Sequence, residues 1–564
     1  MKISRYIFTV VMVLSLLAAC APQPTAAPAT QAPAVEAPAT EAPAAEAPKT
    51  EEPVAEAPAT EAPAVEEPKA EPSILRIAVN TDVDTFDPHG NNTVAVAAVV
   101  DFMAETLIKV TADGKVVPNL AKSWTISPDG LTYNFELQEG VTFHDGTPFN
   151  AEAVAYNLKR SLDPEANLGN RSPYNEIVDV EVVDDTHINF MLEKPSGPLL
   201  QAMANTNFAM VSPASIAEGT DSYINIGNQN GLVATGPFMF KEFAPGDHVT
   251  VVKNPDYWGE MPYYDEVYFQ IVPDPATRES LVLSGDVDLT LNPPISDIPA
   301  LQANPDVEVL LDQGNRFIYF GLNQSNEFLQ KKEVRQALNY AIDKKAIVEK
   351  VMLGAAVPLV SPMPEMFFGW CDTGFYEYNP EKAKQMLADA GVPEDWGKSL
   401  RFLAPSGRYL NDYQVGEAVA GYLADVGINV TVETMDWPTY VATTLNGPDT
   451  KLEDRPDMYL MGWGGGYFHG SHTMIMYETD SYFNGFGYAN PELDALSASA
   501  SAAPDEAQSA DLYCQANQLI WEDAPVIFLH NQSFIVIHSA KITNVFGHPS
   551  EKFQAIYARP VDAN

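Results

Sequence analysis

Cysteine is almost missing from this chain: 564 residues hold three, Cys20, Cys371 and Cys514. No two stand in a CxxC spacing, which excludes a thioredoxin-type redox pair and a four-cysteine zinc ribbon. Cations are scarce as well, with 32 Lys and Arg against 76 Asp and Glu and a formal net charge of −44. Such a surface repels phosphate backbones and anionic lipid, so no nucleic-acid partner is expected. Long hydrophobic runs are also missing. The apolar stretch from Tyr6 to Leu16 is too short to span a bilayer comfortably. From Ala21 to Glu71 there is no aromatic residue, and a segment of that kind cannot bury a core.

Signature motifs of catalysis are absent too. There is no HExxH and no GxSxG elbow. Gly391 to Ser399 imitates a phosphate loop, but five residues separate Gly391 from Gly397 where the motif needs four, the segment follows a helix, and it carries two acids. His469 and His472 bracket Gly470-Ser471 without a third identifiable ligand, so no metal is assigned. No catalytic residue and no cofactor are assigned either. Acids are so numerous that no catalytic pair can be singled out, and a surface hydrolase stays open as an alternative.

What is present begins at the amino terminus. Lys2 and Arg5 precede the short apolar stretch, and Leu17-Ala18-Ala19-Cys20 ends it with small residues and a cysteine. This pattern predicts a lipoprotein export signal over 1–20, with acyl chains on Cys20 and a mature chain working outside the cytoplasmic membrane. Residues 21–72 are almost wholly Ala, Pro, Glu and Thr, and read as an extended spacer. Cys371 and Cys514 are left to pair, and a disulfide between them is expected in an oxidising compartment, with two buried thiols as the alternative. The remaining body, near 490 residues, is too large for one core.

Periodicity gives the body its elements. Ile74 to Val79 reads as the first strand, and Asn150 through Leu162 as a helix with Val154, Leu158 and Leu162 on one face. In the helix from Glu333 to Ile342, Val334, Leu338, Ala341 and Ile342 form an apolar stripe. Asn379-Pro380 starts another helix that Gly391 ends. Leu400 to Leu403 reads as a strand, a helix through Val415, Val419 and Leu423 follows, and alternating Ile428, Val430 and Val432 reads as the next strand. With Met458 to Met461 this is βαβ order, and ligands of such sheets sit beyond the carboxyl ends of strands. Ser406-Gly407-Arg408 and Gly462-Trp463-Gly464 are therefore expected to face a cleft.

Three stretches then resemble the extracellular solute-binding proteins of family 5, the receptors of peptide and nickel ABC importers. They are Thr235-Gly236-Pro237-Phe238 with KNPDYWGEMPYYDEVYFQIVPDPATRESLVLSGDVDL from Lys253, KEVRQALNYAIDKKAIVEKVMLGAAVPLVSPMP from Lys332, and YNPEKAKQMLADAG from Tyr378. The resemblance spans about 73 to 560. It implies an α/β fold of the two-lobe periplasmic-binding-protein type, with a hinge and an extra inserted α+β domain. The first lobe maps to 73–115, 228–322 and 532–564, the insert to 116–227, and the second lobe to 323–531. It further implies a monomeric, non-enzymatic receptor whose lobes close on a ligand and whose partners are a membrane permease and its ATPase.

Candidate ligand contacts are Trp463, Tyr467 and Phe468 beside Gly464, with Arg408 as a carboxylate clamp, Phe86 and Asp87 on the opposite lobe, and His469. Dipeptide-type members carry an aspartate in the loop after the Gly-Trp element, whereas this loop reads Tyr467-Phe468-His469-Gly470. A peptide ligand is expected, held mainly through its backbone; an oligosaccharide or a metal chelate is the alternative.

Overall fold

The computed structural model of the protein describes residues 71–563 apart from 84, 91–93, 112–113, 164–167, 169–175, 217–230, 446–449, 465 and 504. The export signal, Cys20 and the spacer up to residue 70 lie outside the described residues. Ala70–Asn564 forms one compact unit built around an 11-stranded sheet.

The sheet has two halves with separate cores. In the first, Ile74–Val79 pairs in parallel with Glu266–Ile271 and Leu289–Leu291, and His248–Lys253 and Phe238–Ala244 continue it antiparallel. Ile77, Phe102, Val251, Phe269 and Val536 fill its core. In the second half, Phe402–Leu403 lies in parallel between Val432–Glu433 and Met458–Trp463. One face of that half buries Phe320, Leu338, Leu387, Val419 and Leu460, and the other buries Tyr319, Tyr440, Tyr459 and Tyr477.

The helices form where the apolar stripes predict them. Lys332–Ala341 buries Val334, Leu338 and Ala341. Asn379 caps Pro380–Asp389 by accepting from the Lys382 N–H, which uses one of the donors a helix start leaves unpaired. Asp412–Asp425 buries Val415, Val419 and Leu423. One expected strand is much shorter than its alternation suggests: only Val432–Glu433 pairs with a neighbour. The Ile428 N–H is already bonded to the Leu423 carbonyl at 2.9 Å, closing the preceding helix, so that residue is withdrawn from the sheet.

Two long strands join the halves. Val307–Leu322 and Val526–Ser539 run antiparallel, pairing Val307–Gln313 with the first half's end of the partner strand and Phe317–Gly321 with the second half's end. The register breaks between Gln313 and Phe317. Asn531 fills the break: its Nδ2 donates to the carbonyls of Gly314 at 2.8 Å and Arg316 at 2.7 Å, and its Oδ1 accepts from Gln313 Nε2. A side-chain amide thus satisfies backbone groups that the ladder drops, and the strands bend there without leaving buried carbonyls unpaired. The two lobes meet at this hinge.

A separate four-stranded antiparallel sheet carries the strands Ala121–Ile126, Thr132–Leu137, Ile177–Asp184 and His187–Leu192. The helix Ala151–Leu162, capped by Asn150, contributes to a core of its own with Phe135, Val154, Leu158 and Phe190.

Cys371 and Cys514 are joined as a disulfide, with Cα atoms 5.5 Å apart and a sequence separation of 143. The bond ties the segment after Gly369 to the helix Glu506–Asp523. A cross-link over so long a loop removes much unfolded-state entropy, and reduction is expected to cost about 2–4 kcal/mol of stability. Denaturant melts with and without reductant measure it, and alkylation of the unreduced protein should add no mass.

Candidate ligand-binding site

Both loops expected to face a cleft do follow the carboxyl ends of parallel strands. The loop after Phe402–Leu403 is wrapped around Asp412, a buried carboxylate that accepts from the backbone N–H groups of Gly407 at 3.0 Å, Arg408 at 2.8 Å and Tyr409 at 2.9 Å. Three such bonds fix the loop's shape. Arg408 itself is exposed, its guanidinium 4.9 Å from the Tyr409 ring centre and 5.1 Å from that of Trp437.

The loop after Met458–Trp463 is held from several sides. Trp463 Nε1 donates to the His472 carbonyl at 2.8 Å, and the indole stacks on the His472 imidazole with centres 5.1 Å apart. Gly464 is needed because a Cβ there would lie 2.6 Å from the Arg316 Cα; the neighbour that demands glycine is the hinge strand. At Gly466 a Cβ would lie 2.3 Å from the His472 ring, so the imidazole occupies the space a side chain would need. Arg316 is locked by two bonds to Glu551, Nε to Oε1 at 2.7 Å and a terminal nitrogen to Oε2 at 2.6 Å.

Six of the eight expected contacts do not line the cavity described below: Arg408, Trp463 and Gly464 sit in the loops just described, and three others are drawn into the protein. Phe86 is a core residue, 1% exposed, edge-on to Phe240 and Phe243 with centres 5.3 and 5.2 Å away. Asp87 is fully buried in an ion pair with Arg160 of the inserted domain, so its carboxylate is occupied within the protein. His469 is a buried helix cap: its Nδ1 accepts from the Ser471 N–H at 3.3 Å, its ring stacks on Phe368, and burial pushes its pKa down to about 3. The reason in each case is the same. The turn after Ile74–Val79 and the helix start lie against neighbouring elements, and their side chains turn inward.

Tyr467 and Phe468, with Gly466, do line a cavity of about 360 Å³. Asp101, Glu105, Tyr257, His548 and Lys552 come to its wall from segments beside the core of the sheet's first half, and Gln201 and Asn205 from the segment that packs with the four-stranded sheet. All three parts of the molecule therefore meet around one space, within the usual size range of small-ligand pockets, about 300–1,000 Å³. Glu105, 4% exposed, accepts from the Tyr257 hydroxyl at 2.9 Å, Trp258 Nε1 at 2.8 Å and the Thr235 hydroxyl at 3.2 Å. Asp101 accepts from the Thr206 hydroxyl at 2.6 Å and from Lys552 at 2.9 Å. Sequence reasoning missed these wall residues. The Tyr257-Trp258 pair of the KNPDYWG stretch was the available signal, since two adjacent aromatic residues with polar tips need a buried acceptor.

Residues 115–485 match the model of the bacterial extracellular solute-binding proteins, family 5, middle region. The chain belongs to family 5. Family members are extracytoplasmic binding proteins of ABC importers, not enzymes. A glutathione-binding protein of Pectobacterium atrosepticum is 30% identical over 485 residues, covering 85% of this chain and 92% of that protein. In fold, the substrate-binding protein CtaP of Listeria monocytogenes matches with a TM-score of 0.77 at 23% identity, over 87% of this chain and 100% of that one. The periplasmic binding protein DppA of Helicobacter pylori, in complex with the peptide STSA, matches with a TM-score of 0.71 at 24% identity, over 86% and 98%. Family 5 membership accounts for the two lobes and the hinge. Among the described residues there is no cluster of three or more metal-ligating side chains and no helix long and apolar enough to cross a membrane.

Proposed function

We propose that this family 5 receptor captures peptides in the space between its lobes and delivers them to the permease and ATPase of an ABC importer. The observation that carries this reading is the cavity whose wall comes from first lobe, insert and second-lobe loop together. A ligand touching all three parts binds the closed form more tightly than the open one, and that difference drives hinge closure. No covalent step is required. Lipid on Cys20 would hold the monomer to the outer face of the cytoplasmic membrane, and residues 21–72 would give the body reach.

The test is native mass spectrometry of the mature chain, from Cys20, purified without added ligand. A ladder of peptide masses is expected. A single sugar or metal-chelate mass would overturn the peptide assignment and leave the receptor role intact. Mass analysis of the same sample should show acyl chains on Cys20; an unacylated amino terminus would remove the anchor. Arg408, exposed and outside the cavity wall, stays the candidate clamp for a peptide carboxylate. Truncating Tyr467 to Ala should weaken peptide binding about tenfold, through loss of one aromatic wall. Calorimetric titration reads this directly.

A further inference from the structure

Resting on the peptide reading, we propose that the cavity takes an uncharged stretch of the ligand. The peptide's free α-ammonium then contributes nothing to binding there, and blocked peptides bind as well as free ones.

The described residues lining the cavity include four charged side chains, Asp101, Glu105, Lys109 and Lys552. Each already has an opposite charge. Lys552 Nζ is 2.9 Å from Asp101 Oδ2, and Lys109 Nζ is 3.6 Å from Glu105 Oε1. Glu105 has in addition the three neutral donors described above, and Asp101 has the Thr206 hydroxyl. The wall therefore sums to zero, with its charges spent inside the protein. His548 is neutral as well: its Nδ1 lies 2.7 Å from the Ser550 hydroxyl, and burial is the first cause of a pKa lowered to about 4.

An ammonium or carboxylate entering this space would lose its water and find no spare counter-charge. It could gain one only by displacing an internal partner, and a charge held without water or counter-charge is strongly disfavoured. What the wall does offer is neutral. Gln201 and Asn205 line it with uncharged amide side chains. Tyr467, Phe468, Phe553 and Tyr557 line it as well. A peptide unit supplies both an uncharged amide and a flat surface. The loop beside this wall agrees, because Gly466 carries no side chain and the His472 imidazole fills its place.

Competition by native mass spectrometry tests the proposal on the mature full-length chain after its resident ligand is removed. The probes are two random tetrapeptide libraries without Asp, Glu, Lys, Arg or His, one with free ends and one N-acetylated and C-amidated. The blocked library is expected to bind within threefold of the free one. A preference of thirtyfold or more for free ends overturns the inference and leaves the peptide reading standing. Retention of neither library overturns the peptide reading and the inference with it. Gln201→Glu supplies the missing charge, and should shift the competition at least tenfold toward free ends. No shift in a folded variant would show that the cavity does not hold the peptide's uncharged stretch.

Discussion

Lowering the pH from 7 to 4.5 is expected to strip the folded body of at least about 5 kcal/mol of stability. Six histidines are held in neutral form with burial as the leading cause for each, His144 among them. His530 and His469 are pushed down to about 3, and His89, His472 and His548 to about 4. Nearby groups adjust all but His530: Arg160 lowers His89 against Asp87, Arg316 lowers His472, His472 lowers His469, Asp145 raises His144, and Lys552 lowers His548 against Asp101. In the unfolded chain each takes up a proton near pH 6.5. Between there and pH 4 the unfolded state binds more protons than the folded one, so stability is complete above pH 6.5 and falls as the solution is acidified. Each such histidine costs about 1.4 kcal/mol per pH unit in that window. His530 and His469 alone give the 5 kcal/mol over two units. Thermal melts at pH 7.5, 6.5, 5.5 and 4.5 measure the slope. His530 is the cleanest probe, because neither ring nitrogen has a partner among the described residues and the residue is 1% exposed. His530→Leu should flatten the dependence by about one proton. A melting temperature constant from pH 7.5 to 5 would sink the account.

Much of the scaffold is legible in the sequence because periodicity reports burial. Val334, Leu338 and Ala341 repeat at helical spacing and do face a core, and Asn379-Pro380 and Asn150 mark helix starts whose capping bonds form. Periodicity does not supply the long-range pairing of Ile74–Val79 with Glu266–Ile271 across nearly two hundred residues. The wall of the cavity was hidden for a related reason. Asp101, Gln201, Tyr467 and Lys552 are far apart in sequence, and no local pattern distinguishes a cavity-lining lysine from a surface one. Gly464 shows the limit most clearly: a glycine in a cleft-facing loop suggests ligand approach, whereas the atom that excludes a Cβ is the Arg316 Cα of the hinge strand. Asp87 likewise stands in a turn that reads as exposed. Its partner Arg160 lies 73 residues on, in the helix of another domain.

That pair supports a prediction that separates scaffold from site. Arg160, 4% exposed, bonds one Asp87 oxygen at 3.0 Å, makes a second bond to the other, and donates to His89 Nδ1 at 2.7 Å. His89 then donates from Nε2 to the Ala209 carbonyl at 2.9 Å, so the chain of bonds sews the turn after the first strand to the inserted domain. Asp87→Ala removes the carboxylate from a buried guanidinium, and should cost about 3–5 kcal/mol, since a buried charge without its partner keeps its desolvation penalty. Replacing both members, Asp87→Leu with Arg160→Met, leaves no charge behind and should recover more than half of that loss. A double-mutant cycle in denaturant measures both numbers. Binding answers a different question. If Asp87 were a ligand contact, Asp87→Ala would lower peptide affinity at least tenfold even well below its melting temperature. The geometry instead predicts an affinity within threefold of the parent under those conditions, because both carboxylate oxygens are taken up inside the protein and the side chain has no exposed surface from which to reach a ligand.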